Sequence, residues 1–326
     1  MDPLEKRALG RTGLRVTRVG LGGSALGGMY GDILPEQAYE IVHRALDLGI
    51  NFFDTAPLYG RGKSEERLGA ALADVPRDSY VLATKVGRVR DPSDQDDGGH
   101  MRPRMTFDYS RDGVMRSLEG SLERLRVDHI DVVHIHDPYR HYEQAIQEAY
   151  PTLRRLRAEG AIGGISVGIG SVELLMRFAQ EGEFDCFLLS NLYSLLDQSA
   201  LKELLPTCAE KGIGVIAGGT YGTGILATGA KEGAKYHYRD ATEEVLERVR
   251  ELERVASQFG VSLKAVASQF VLAHPVVTSI IPSTRKPERV AENLAVVREE
   301  IPAEFWTALK ARGLIPEEAP GLKGTT

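Results

Sequence analysis

Eight short apolar runs alternate with stretches of helical spacing, and that rhythm constrains the fold more than any other feature. The runs are VTRVGLGG (16–23), INFFDT (50–55), YVLATKVG (80–87), HIDVVHIHD (129–137), AIGGISVG (161–168), FDCFLLSN (184–191), IGVIAGG (213–219) and VVTSIIPST (276–284). They are rich in Val and Ile, as strands buried on both faces should be. The segments between them, such as PEQAYEIVHRALDLG (35–49) and SVELLMRFAQEG (171–182), carry apolar residues at helical spacing. A strand-then-helix rhythm demands a parallel sheet. Eight units within 326 residues match a closed (β/α)8 TIM barrel, expected to form one domain over 1–326. One long helical stretch is expected over 242–273, and a polar tail after 297.

The rival is a doubly wound open sheet. GLGGSALGG (20–28) superficially supplies its Gly-rich phosphate turn. That fingerprint also needs an acidic residue about 20 residues further on. Asp54 lies well beyond that distance, and Pro35 opens the first helix late, so the barrel is preferred. Two segments break the rhythm: the acidic, Gly/Pro-containing 87–107 and the Gly/Thr-rich 220–240. Each follows a strand, which in a barrel places it on the C-terminal face as an extended loop, either a lid or substrate wall or a tolerated insertion.

Hydrophobic residues at 42 % provide for a large core, while a net charge of −6 argues against nucleic acid or an acidic membrane as partner. Two cysteines, Cys186 and Cys208, make neither a disulfide framework nor a metal quartet, so no metal is expected. The opening MDPLEKRALGRTG has no apolar secretion segment, and no apolar run approaches the roughly 20 residues of a membrane span. A cytoplasmic location is the expectation.

Strand ends converge on the mouth of a barrel. Here the second strand ends in Asp54 with Tyr59 in the following turn, the third in Lys85 and the fourth in His136. Taken singly, Asp54 reads as a turn cap, Tyr59 as a surface aromatic and Lys85 as a rim charge in need of a partner. Together they have a chemical logic. An ammonium held by a carboxylate stabilises a nearby phenolate, so the phenol pKa is expected to fall towards working pH and serve acid–base catalysis. The imidazole can polarise a substrate oxygen. Such a set suits hydride transfer to or from nicotinamide. His134 shares the strand face of His136 one layer deeper, and reads as a satisfied core histidine.

Those residues, within GINFFDTAPLYGRGKSEERLG, TKVG, SLERLRVDHIDVVHIHDP and IIPSTRKPERVAENL, resemble the aldo-keto reductases from LGRTGLRVTRVGLG to about residue 300. The resemblance implies a (β/α)8 barrel with an N-terminal β-hairpin plugging its bottom, and NAD or NADP as cofactor. It implies Tyr59 as proton donor or acceptor, assisted by Lys85 and Asp54, with His136 orienting the carbonyl. Of the family's carboxamide contacts, Gly168 and Ile169 replace a Ser-Asn pair, while Asn191 matches. The stacking tyrosine falls near Gly218, with Tyr221 and Gly222 alongside. On the adenosine side Ser283 replaces a lysine that grips the 2′-phosphate, Thr284, Arg289, Glu292 and Asn293 match, and Arg285 or Lys286 can compensate.

FDYSRDGVMRSLEGSLERL followed by IDVVHIHDP is similar to the branch holding the D-threo-aldose 1-dehydrogenases (L-fucose or L-galactose dehydrogenase) and pyridoxal 4-dehydrogenase. The branch implies oxidation of a cyclic hemiacetal carbon to a lactone. Tyr30, His100, Arg102, Arg104, His134, Asp137 and Tyr221 are offered as hydrogen-bonding walls of a sugar pocket. The alternatives are an NADPH-dependent reductase of aldehydes or aldoses, and a cofactor-binding regulatory subunit. More distant is a phosphate-handling isomerase built on AGGTYGTG (217–224).

Overall fold

A computed structural model describes residues 1–90 and 105–320. Eight parallel strands form one curled sheet: β1 Leu21–Gly22, β2 Phe52–Asp54, β3 Val81–Val86, β4 Ile130–His136, β5 Ile162–Ile169, β6 Cys186–Ser190, β7 Gly214–Gly218 and β8 Val277–Ile280. They pair in chain order, and the sheet closes on itself. The β1 segment meets β8 through a parallel bridge of Val19 with Ile280, supported by Gly20 N–H to Ile280 O (2.8 Å) and Ile280 N–H to Arg18 O (2.9 Å). The expected (β/α)8 barrel is the observed fold.

The N-terminal hairpin pairs Lys6–Ala8 with Arg15–Thr17. That pairing removes 16–17 from the barrel strand expected over 16–23, and β1 itself is only two residues long. Leu9 and Val16 of the hairpin, both fully buried, join Phe52, Val132, Cys186 and Ile216 to fill the inside of the ring. Gly10 (φ +53) makes this seat possible. A Cβ there would stand 1.8 Å from Asp185 O and 2.5 Å from Gly214 N, against the starts of β6 and β7.

A larger apolar layer lies between the sheet and the outer helices. The long stretch 242–273 is two helices, Glu243–Gln258 and Leu263–Ala273, meeting at 98°. Gly260 (φ +66) ends the first turn of chain between them, and the Ser262 hydroxyl caps the second by accepting from Ala265 N–H (3.1 Å). The tail read as polar also carries a helix, Ala303–Ala311, which buries Phe305, Trp306 and Leu309. No single helix among the described residues is long and apolar enough to cross a membrane.

Candidate active site

Register does the positioning. Asp54 pairs with Ala83 across β2 and β3, Lys85 with His134 across β3 and β4, and His136 with Gly168 across β4 and β5. Stagger between neighbouring strands therefore carries Asp54, Lys85 and His136 to the same end of the ring. Tyr59 arrives from the loop after β2. Its N–H donates to Ala56 O (3.0 Å), and its carbonyl accepts from Ser64 N–H (3.2 Å). Gly60 (φ +61) and Gly27 let two backbones touch here, since a Cβ on Gly60 would lie 2.1 Å from Gly27 O. That contact fixes the loop carrying the phenol.

Lys85 donates to Asp54 Oδ1 (2.5 Å) and to Thr55 O (2.8 Å), both acceptors being buried. Its Nζ stands 5.2 Å from the Tyr59 ring centroid. The Tyr59 and His136 rings meet edge-on, centroids 6.2 Å apart. Beneath them His134 is fully buried, with Nε2 3.1 Å from Asp54 Oδ2, off the line of a straight hydrogen bond, and Nδ1 2.7 Å from Ser166 Oγ. It belongs to the core as read from its depth. It does not line the cavity, so its second reading, as a sugar-pocket wall, is corrected.

Burial pushes the Asp54 carboxyl up, but Lys85 and His134 outweigh it and hold the group below its usual value. His136 is driven well below the ordinary imidazole range by burial first, then by the charges of Lys85 and Arg88. The Tyr59 phenol moves opposite to the sequence expectation. Burial raises it well above its usual value, and the Asp54 carboxylate raises it further. Loss of solvent is the larger cause, while the Lys85 ammonium donates to Asp54 and Thr55 O rather than to the phenol. At neutral pH the site presents a protonated phenol and a neutral imidazole over a buried ion pair.

These groups floor a cavity of about 1180 Å³. Of the positions matched for cofactor, Asn191, Gly218, Tyr221, Ser283, Thr284, Arg285 and Arg289 line it. Gly222, Glu292 and Asn293 do not: Gly222 packs under Tyr236, Glu292 faces Lys264 (3.7 Å), and Asn293 is buried on its helix. Ser283 Oγ accepts from Ala25 N–H (2.8 Å) and so ties the loop after β8 to the loop after β1. Tyr30 and Asp137 also line the cavity, while His100, Arg102 and Arg104 lie outside the described residues.

The segment 220–240 does form a wall, contributing Lys231, Lys235, Tyr238 and Arg239 that sequence reading missed. With Arg285 and Arg289 these give the cavity rim a positive character on a chain of net charge −6. Thr220 Oγ1, at the same wall, is buried without a hydrogen-bond partner among the described residues. Volume, rim cations and an unpartnered donor fit a nicotinamide dinucleotide, whose diphosphate needs cations and whose carboxamide needs polar partners. Arg88, just past Gly87 at the strand end, was also missed, because nothing in the sequence shows which way a residue beyond a strand points.

The profile of the Aldo/keto reductase family matches residues 18–312. The chain is 37 % identical to pyridoxal 4-dehydrogenase of Microbacterium luteolum, over 95 % of this chain and 98 % of that protein. It is 34 % identical to D-threo-aldose 1-dehydrogenase of a Pseudomonas species, with the same two coverages. Among solved structures, a glycerol dehydrogenase of Gluconobacter oxydans superposes with a TM-score of 0.79 at 27 % identity, covering 97 % of this chain and 98 % of that one.

Proposed function

The chain belongs to the Aldo/keto reductase family, an NAD(P)H-dependent oxidoreductase, and on that premise we propose that it oxidises an aldose at C1 to the lactone. The observation that carries this reading is the meeting of Tyr59 and His136 over the buried Lys85–Asp54 pair on the floor of a polar-walled cavity. NAD(P)+ supplies the hydride acceptor when bound. Ser283, Thr284, Arg285 and Arg289 would hold its adenosine end, and Asn191 its carboxamide. His136 donates a hydrogen bond to the anomeric oxygen. Once deprotonated at raised pH, Tyr59 takes the anomeric hydroxyl proton as its phenolate while the C1–H bond gives up its electron pair, and the C1–O bond becomes the lactone carbonyl. Lys85, fixed by Asp54, keeps a positive charge near the phenolate form of Tyr59, which accepts this proton in oxidation and is left behind in reduction. In reduction Tyr59 returns the proton to the carbonyl oxygen.

The D-threo-aldose 1-dehydrogenase relative supports the sugar substrate. Pyridoxal is the second reading, favoured by the 37 % relative, and its internal hemiacetal asks for the same chemistry. Residues 1–326 then act as one catalytic domain in the cytoplasm, where Cys186 and Cys208, both buried and free, stay reduced. The test is NAD(P)H formation followed at pH 8–9 with L-fucose, L-galactose, D-arabinose and pyridoxal. Turnover of one or more aldoses is expected. Failure with every aldose rejects the reading, and turnover of pyridoxal alone selects the second.

A further inference from the structure

Polar chemistry at the mouth continues beyond the four residues at the strand ends. Asp137, directly after β4, holds φ +50, a left-handed conformation uncommon for residues with a side chain. Such strain persists where the surroundings over-determine it, typically at functional sites. Here Asp137 N–H donates to Gly168 O (2.9 Å), and its carbonyl accepts from Tyr139 N–H (2.8 Å). The result is a carboxylate beside the His136 ring, Oδ2 lying 3.6 Å from Nε2. Arg88 comes from the short hairpin strand Arg88–Arg90 and donates Nη1 to the same Oδ2 at 2.8 Å. Its guanidinium sits 5.3 Å from the Phe107 ring centroid. Both side chains line the cavity and keep about a quarter of their surface open, 22 % for Arg88 and 25 % for Asp137. Arg88 Nε is buried with no partner among the described residues.

We propose that Arg88 and Asp137 form a subsite that recognises a hydroxyl on the carbon next to the reacting one, selecting 2-hydroxy carbonyl compounds and their cyclic forms. This deepens the aldose reading and rests on it. The fit is one of spacing and of donor count. Neighbouring oxygens of a vicinal diol lie roughly one hydrogen-bond length apart, about 2.8 Å. His136 Nε2 and Asp137 Oδ2, 3.6 Å apart, can therefore engage two such oxygens together. The imidazole N–H serves the reacting oxygen. The carboxylate can only accept, so its oxygen must carry a proton, and Arg88 can only donate, so it must meet a lone pair. A hydroxyl satisfies both at once, whereas an ether brings no proton to the carboxylate and a hydrogen brings neither a proton nor a lone pair. Burial holds the Asp137 carboxyl above its usual value, and the Arg88 guanidinium opposes that rise in part.

The test compares glyceraldehyde with propanal in the reductive direction, which reports on the neighbouring hydroxyl whichever way the reaction runs in the cell. In the wild type kcat/KM should favour glyceraldehyde by roughly 10- to 100-fold. Asp137→Asn and Arg88→Met should each bring the ratio of the two kcat/KM values down at least about fivefold. A wild-type ratio near one overturns the proposal without any variant, and so does a ratio that neither substitution changes. Failure of the wild type to oxidise aldoses strikes the aldose reading alone, because the aldehyde ratio still decides this one.

Discussion

Tyr59 shows where charge counting and geometry part company. Sequence logic put an ammonium next to a phenol, whereas the folded chain gives that ammonium to Asp54 and Thr55 O and leaves the phenol raised. A general base must be deprotonated, so kcat/KM for oxidation should climb with pH across pH 7 to 10, while reduction, which uses the protonated form, stays flat there. A plateau in the oxidation profile near pH 7 would show that Lys85 prevails after all. Tyr59→Phe should lower kcat in both directions by roughly 10²- to 10⁴-fold in single-turnover measurements. Asp54, Lys85 and His136 were legible in the sequence because each ends an apolar run, and parallel register brings such ends together. Arg88 and Tyr238 were not, because one sits on a short hairpin strand and the other in a turn, both outside the barrel rhythm, and no periodicity reports their path. His134 carries a separate consequence. Replacing it by leucine removes a neighbour from the buried Asp54 Oδ2 and from Ser166. Stability in urea should drop by about 2–3 kcal/mol, with a fall in kcat alongside. A variant as stable as wild type would mean that the imidazole supports nothing.

At the scale of elements, the hairpin that stoppers the ring is the most exacting piece. Gly10→Ala forces a methyl group into the Asp185 carbonyl and asks an L residue to hold φ +53. The expected loss is more than about 2 kcal/mol, read as a lower urea midpoint. An unchanged midpoint would mean that the hairpin lifts off the barrel at little cost. The hairpin was legible only through the resemblance of LGRTGLRVTRVGLG to the aldo-keto reductases. Its boundary with β1 was not, because VTRVGLGG is one apolar run until the chain turns a corner and its halves pair with different partners. The split of 242–273 escaped for a related reason. The sequence QFGVSL keeps helical composition through a single glycine, and only the Ser262 cap, held by Glu299 at 2.6 and 2.8 Å, shows that a new axis starts there.

Two properties belong to the whole molecule. The cavity concentrates positive charge on an acidic chain, so dinucleotide binding should stabilise the fold by mass action, about 2.7 kcal/mol at a hundredfold excess over Kd. Thermal shifts with NAD+ and NADP+ measure this. Arg285→Gln should shrink the NADP+ shift more than the NAD+ shift, and equal shrinkage would place the 2′-phosphate elsewhere. Stability should also decline in acid. Burial lowers the His274 imidazole to about 4, a folded value below the unfolded one, so its contribution is complete above pH 6.5 and is lost as pH falls towards 4. His274→Asn should flatten the fall of the urea midpoint between pH 6.5 and 5.

The seam between Val19 and Ile280 joins the first barrel strand to the last. A ribosome making this chain releases β1 long before it makes β8, so the nascent sheet has two raw edges, β1 and the newest strand, for most of synthesis. Unpaired edges invite strands from other chains. Closure is thus a late, nearly all-or-none event, and a chain stopped at Ala273, just short of β8, should be found in aggregates rather than as a slightly weakened barrel.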